Sequence, residues 1–215
     1  MSNTLKATKL DFSLVKPYIK VIGFTMLLPI AFAAINRSIL TGVSFAMCFI
    51  AMTTGYTFSV TEKNNMERLY GILPIKKSEM VTGRYLFVLA LGAMALVVSL
   101  ITQPIVLRAM GESVGAFDMI SAAIGGLFLF ALYTVFQIPG YYKYGAIKGR
   151  VFMYIPVAGF LATLFFLPKM PADNPFVTTV VSSPVLLIGL VLVLVVVMYA
   201  VSIWFSIRIM ENKEM

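Results

Sequence analysis

The hydrophobic and polar positions of this chain fall into long blocks. Uncharged runs cover residues 21–36, 38–61, 85–107, 119–142, 151–168 and 174–207, and all charges lie in the segments between and beside them. A helix crosses the ~30 Å hydrocarbon layer with about 20 apolar residues. Five runs are long enough outright. The first becomes so when Tyr18 and Ile19 extend it and Lys20 snorkels to the interface. The pattern predicts an all-α integral membrane protein with a single transmembrane domain, 1–215. Its six helices are expected at 18–36, 38–61, 81–107, 119–142, 151–168 and 180–207. Pro168, Pro171, Pro175 and Pro184 punctuate the approach to the last helix, and the final run is longer than a span needs. A broken segment is expected there, with residues 174–183 positioned to dip back into the bilayer if protein or water covers their backbone.

The polar positions also repeat at helical spacing. Lys6, Lys9, Ser13, Lys16 and Lys20 follow i, i+3, i+7, i+10, i+14. They predict an interfacial helix over 4–17, lying in the headgroup plane and ended by Pro17. A frayed basic tail that only sets topology is the other reading. In the longest polar segment, 62–80, Met66, Leu69, Tyr70 and Leu73 recur at i, i+3, i+4, i+7, the apolar face of a short amphipathic helix. Thr61 is expected to cap its start and Pro74 to close it, and Ser78 to cap the third membrane helix with Glu79 in its first turn. An apolar face flanked by both charge signs suits a groove on a cytosolic protein. A helix flat on the lipid is the alternative, and Glu62, Glu67 and Glu79 weaken that attraction.

Composition narrows the classes. The chain is 60% apolar and 12% charged, against about 25% charged in soluble domains. That excludes a soluble enzyme, a disordered regulator and a nucleic-acid module. The net charge of +8 is unevenly placed. With six spans, only Arg37, Arg108 and Lys169 fall on one side, and the other basic residues fall on the side of the termini. The positive-inside rule then puts both termini in the cytoplasm, facing anionic lipid rather than nucleic acid. No cleavable signal-peptide pattern closes the first apolar run. Zero histidine and the single Cys48 exclude the usual zinc sites and nucleophile–histidine pairs, and no P-loop pattern occurs. No run has a charge near its centre, which disfavours an ion-coupled carrier.

Two polar features lie at membrane depth. Thr41, Ser44, Cys48, Ala51, Gly55 and Ser59 form a small-residue stripe on the second helix, readable as helix packing or as the wall of a pathway. Gln103-Pro104 and Gln137-Ile138-Pro139 place amides beside prolines, which read as kinks on a path or as breaks near helix ends.

Residues 61–86, Thr-Glu-Lys-Asn-Asn-Met-Glu-Arg-Leu-Tyr-Gly-Ile-Leu-Pro-Ile-Lys-Lys-Ser-Glu-Met-Val-Thr-Gly-Arg-Tyr-Leu, resemble the loop between helices two and three of ABC-2 type permeases. The resemblance implies a coupling helix that inserts into a cytosolic ATP-binding subunit. Glu62, Lys63, Met66, Glu67, Arg68, Leu69, Tyr70, Leu73 and Pro74 would be its coupling residues. It also implies two ATP-binding subunits per complex, carrying ATP and magnesium, with no cofactor in this chain. A second permease chain, identical or a paralogue, would complete the path. Gly71 departs from the small polar residue commoner in that family. The small size is similar to permeases that export phenol-soluble modulins and bacteriocins, which implies a bacterial plasma membrane and an amphipathic or hydrophobic cargo, such as a peptide. A stand-alone channel or ion-coupled carrier is the competing class. A membrane enzyme is a third, lacking catalytic groups.

Overall fold

A computed structural model of the chain describes residues 3–25, 27–64, 66, 75–159 and 184–213, with backbone alone at 184 and 185. The chain opens with α1 (Asn3–Val15), passes through a 3-10 turn at Lys16–Tyr18, and continues as α2 (Ile19–Thr25) and α3 (Leu28–Asn36). Then come α4 (Ile39–Lys63), α5 (Lys77–Ala109) and α6 (Ala116–Lys148). A 3-10 stretch at Gly149–Met153 leads into helical backbone over 154–159, and α7 covers Pro184–Glu211.

Among the described residues, five stretches are long and apolar enough to cross a membrane: Asn3–Asn36, Ile39–Lys63, Lys77–Ala109, Ala116–Gly159 and Leu186–Glu211. Six were expected. Of the expected fifth helix only 151–159 are described, and they run on from α6. The rest of it, and the 174–183 segment, lie outside the described residues, as do Asn65 and residues 67–74 of the coupling loop.

Lipid offers no hydrogen bonds, so each helix must satisfy its own backbone and finish its ends with local partners. Arg37 takes a left-handed turn (φ 48) that closes α3, its N–H donating to the Ala34 carbonyl at 3.3 Å and the Ser38 N–H to the Ala33 carbonyl at 3.2 Å. Ser38 then caps α4, its hydroxyl accepting from the Thr41 N–H at 3.4 Å. At the start of α6, Asp118 Oδ2 accepts from the Gly115 N–H at 2.9 Å.

Several local expectations are corrected. Thr61 caps nothing: α4 runs on to Lys63, and the buried Thr61 hydroxyl donates to the Thr57 carbonyl at 2.7 Å. Ser78 lies inside α5 rather than at its cap, because Glu79 reaches back one turn to accept from the Lys76 N–H at 3.1 Å. A carboxylate near the positive end of the helix dipole outcompetes a neutral hydroxyl there. The N-terminal helix stops at Val15, and Pro17 lies in the 3-10 turn that follows it. Pro104 and Pro139 sit inside continuous helices. The break in α6 falls instead at Gly145, where φ is 77° and ψ is 178°. The 143–150 segment is therefore bent helix, not a loop.

The core lies where α4, α5 and α6 meet, filled by Val43, Met47, Ile50, Phe87, Phe130 and Ile138. α7 packs on α5 and α6, α3 on α4 and α5, and α1 crosses the start of α5. That crossing needs Gly83. A Cβ there would stand 2.8 Å from Ala7 Cβ and 2.9 Å from the Thr4 backbone oxygen. The close approach lets the Thr8 hydroxyl reach the Gly83 carbonyl at 3.0 Å.

Candidate functional site

Both termini of the described chain and the α4–α5 connection gather at one end of the bundle. A buried ion pair ties them together. Arg84, in the second turn of α5, donates through Nη2 to Asp11 Oδ1 at 2.8 Å and through Nε to Asp11 Oδ2 at 3.2 Å. The fork is bidentate, the geometry that guanidinium and carboxylate share. The two side chains are 7% and 5% exposed. Arg84 also donates to the Thr61 hydroxyl at 3.4 Å, and its guanidinium lies over the Phe58 ring at 4.6 Å. One side chain thus joins α1, α4 and α5, with its charge spread over a carboxylate, a hydroxyl and a π face.

A second anchor sits beside it. Glu62, in the last turn of α4, accepts from the Ala146 N–H at 2.6 Å through Oε2. The turn at Gly145 frees that N–H, so Glu62 caps the helical segment that restarts there. On the far side of the loop, Asn3 donates to Glu79 Oε2 at 3.3 Å, and Lys77 Nζ donates to the carbonyls of Glu211 and Lys213 at 3.3 and 2.8 Å. The amino terminus, the carboxyl tail and α6 all hold the two ends of the 62–80 loop. Between these elements lies a cavity of about 290 Å³ whose apolar walls include Leu10, Phe58, Met80, Tyr141, Tyr142 and Met210.

Deeper in the bundle, hydroxyls bind α7 to α5 and α6. The Tyr85 hydroxyl lies 2.6 Å from Ser202 Oγ and 2.8 Å from Ser206 Oγ. Ser202 donates to the Val135 carbonyl at 2.8 Å, and the Tyr199 hydroxyl lies 2.7 Å from Thr134 Oγ1. Tyr199, Ser202 and Ser206 were not among the residues singled out from the sequence. The signal was available: polar residues at i, i+3, i+7 on an otherwise Val/Leu-rich helix mark its packing face. Tyr85→Phe should cost about 0.5–1.5 kcal/mol, the scale of interhelical hydrogen bonds in membranes. Unfolding of the purified chain by titration with a denaturing detergent checks it, with Ser206→Ala in the same background adding little.

The Asp11–Arg84 pair was also missed. Its signals were the one acid within the N-terminal lysine stripe and an arginine at the threshold of an uncharged run.

Of the coupling residues, Glu62 is exposed and its carboxylate reaches α6 at Ala146. Lys63 ends α4, exposed, and Met66 is half-buried. Glu67, Arg68, Leu69, Tyr70, Leu73 and Pro74 lie outside the described residues. On the α4 stripe only Ala51 is fully buried. Thr41, Ser44, Cys48, Gly55 and Ser59 are half-buried. The buried face of α4 lies beside that stripe, at Val43, Ala46, Met47, Ile50, Thr54, Thr57 and Phe58. The bulkier side chains fill the seam, gaining more contacts than small ones could. Gln137 lies well inside α6, and Gln103 lies within two turns of the end of α5. Both are fully buried within α5 and α6. Gln137 Oε1 accepts from the Thr54 hydroxyl at 3.1 Å, whereas Gln137 Nε2 and both amide atoms of Gln103 have no partner among the described residues. No cluster of three or more potential metal ligands occurs among the described residues.

Comparison with protein families gives one finding: the family model described as ABC-2 family transporter protein matches residues 8–211. No curated protein and no solved structure matches the chain.

Proposed function

The chain belongs to the ABC-2 transporter family and is a multi-pass membrane subunit that works with an ATP-binding partner, and from this we propose that it is the permease of a bacterial exporter that moves an amphipathic or hydrophobic peptide outward. The observation that carries the reading is the family match across residues 8–211. ATP is hydrolysed on the partner, which holds the nucleotide and magnesium. Both termini face the cytoplasm of the cell, in its plasma membrane, as the excess of basic residues at that end supports.

The force enters through the 62–80 loop. Glu67, Arg68, Leu69, Tyr70, Leu73 and Pro74 dock in the ATP-binding subunit, flanked by Lys63 and Met66. The arrangement of the two loop ends supports this role. Glu62 grips α6, Arg84 grips α1, and Lys77 grips the carboxyl tail. A displacement of the loop is therefore delivered to three further elements at once rather than absorbed by slack.

Two permease chains and two ATP-binding subunits make the working complex. The half-exposed small and hydroxyl residues of α4 support a second chain, because such residues suit helix contact or a polar path better than lipid. The uncharged membrane-spanning runs, with 17 Phe and 10 Tyr in the chain, support an apolar or amphipathic cargo.

The test is co-purification with the ATP-binding subunit, followed by peptide export from the assembled complex. Glu67→Lys combined with Tyr70→Ala should lower association at least tenfold and abolish export, while the permease folds as before. Glu62 is a poor choice for this test, since its substitution also uncaps Ala146. Undiminished association and export by the double variant would remove the coupling assignment. Transport by the lone chain in ATP-free liposomes would replace the exporter with a stand-alone channel or carrier.

A further inference from the structure

We propose that the groove between α1–α2 and α5 is a binding site for one anionic glycerophospholipid of the leaflet nearest the termini. α1 and α3 rest on α5, and between those two contacts a space of about 600 Å³ opens beside α2. Its size falls in the ordinary range of ligand pockets, roughly 300–1,000 Å³. Phe12, Val15, Ile19 and Ile22 line one wall, and the Phe87-to-Val98 face of α5 lines the other.

The depth of the groove matches one leaflet. Phe87 and Val98 are eleven residues apart on a continuous helix, about 16 Å at 1.5 Å per residue. Half of the ~30 Å hydrocarbon layer is about 15 Å. An acyl chain of a single leaflet fits that length.

The charge at the mouth selects the headgroup. Lys9 and Lys16 are exposed on the rim, and Ser13 stands between them on the same face of the helix. Neither lysine forms an ion pair with an acid among the described residues, since Asp11 is taken up by Arg84. Two uncompensated ammonium groups at the interface, above an apolar slot, are complementary to a phosphodiester on two acyl chains. They are not complementary to a second copy of this chain, whose own lysine-bearing helix would repel them. Each lysine near an anionic headgroup contributes about fivefold in affinity.

Native mass spectrometry of the delipidated full chain, back-titrated with dioleoyl phosphatidylglycerol or dioleoyl phosphatidylcholine, tests this. The expected result is one tightly held phosphatidylglycerol, bound about 10–30-fold more strongly than phosphatidylcholine. Lys9→Gln with Lys16→Gln should erase the preference. Met94→Trp, which fills the groove from an exposed position, should lower occupancy by both lipids without changing the unfolding midpoint. The proposal is overturned if the preference persists in the lysine variant, if Met94→Trp leaves occupancy untouched, or if Met94→Cys in a Cys48→Ala chain cross-links two copies across this face.

Discussion

Asp11→Ala should destabilise the chain by about 3–5 kcal/mol, the usual consequence of leaving one partner of a buried ion pair without its counter-charge. Arg84 is buried, at 5% exposure. The 3.4 Å bond to Thr61 and the Phe58 and Tyr142 ring faces would remain, and none of them carries a counter-charge. The first visible effect is release of α1, whose other holds on the start of α5 include the Asn3–Glu79 and Thr8–Gly83 hydrogen bonds and the Ala7–Gly83 and Phe12–Phe87 contacts. The double replacement Asp11→Leu, Arg84→Met should recover most of the loss, because an apolar pair of similar volume avoids the desolvation of both charges. Denaturing-detergent titration of the single and double variants gives the cycle. Protease sensitivity of residues 3–15 reports on α1. A single variant as stable as the parent would show that the pair is not closed. A double variant as weak as the single would place the cost in packing rather than in the stranded charge.

Gly145→Ala comes next in size. The backbone there holds φ 77° and ψ 178°, a region open essentially to glycine, and forcing another residue into it costs about 1–3 kcal/mol. The added Cβ would also stand 3.1 Å from Glu62 Oε2, the oxygen that accepts from Ala146. Displacing the carboxylate removes a charge-assisted hydrogen bond worth about 1.5–3 kcal/mol. The two losses share one site and are not independent, so the combined effect is about 3 kcal/mol. The functional expectation is sharper. If the α4–α6 link carries motion from the loop, Gly145→Ala should cut peptide export in the reconstituted complex by more than tenfold while the ATP-binding subunit still associates. Glu62→Gln should fall between, since the amide oxygen can still accept from Ala146 but without charge. Full export by Gly145→Ala would place the coupling path elsewhere.

The architecture was legible in the sequence as far as lipid dictates it. Uncharged runs of sufficient length have no alternative to helix in a bilayer, so α4, α5, α6 and α7 follow from where the charges are not. The basic residues also announced which ends would gather together, and the lysine stripe marked the N-terminal helix. Periodicity was less informative inside the bilayer. On a helix surrounded by apolar neighbours, a stripe of small residues and a stripe of large ones are both compatible with packing. The choice between the Ser44–Cys48 stripe and the Met47–Ile50 face of α4 depended on where Gly126 of α6 left room, with Val43 and Met47 pressed against it. The caps failed for a similar reason. Thr61 and Ser78 are plausible caps one residue at a time, but α4 runs past Thr61 to Lys63 and Glu79 takes the Lys76 N–H that opens α5.

The sequence by itself determined that this is a membrane-embedded helical protein with a short loop unlike the rest of it, because hydrocarbon tolerates neither unpaired backbone nor scattered charge. Only the tertiary structure decided that Asp11 pairs with Arg84 across 73 positions, that Glu62 caps a break in α6, and that Tyr199, Ser202 and Ser206 are what hold α7. Those pairings join residues remote in sequence. Their energy depends on burial and distance, which exist only once the helices have met.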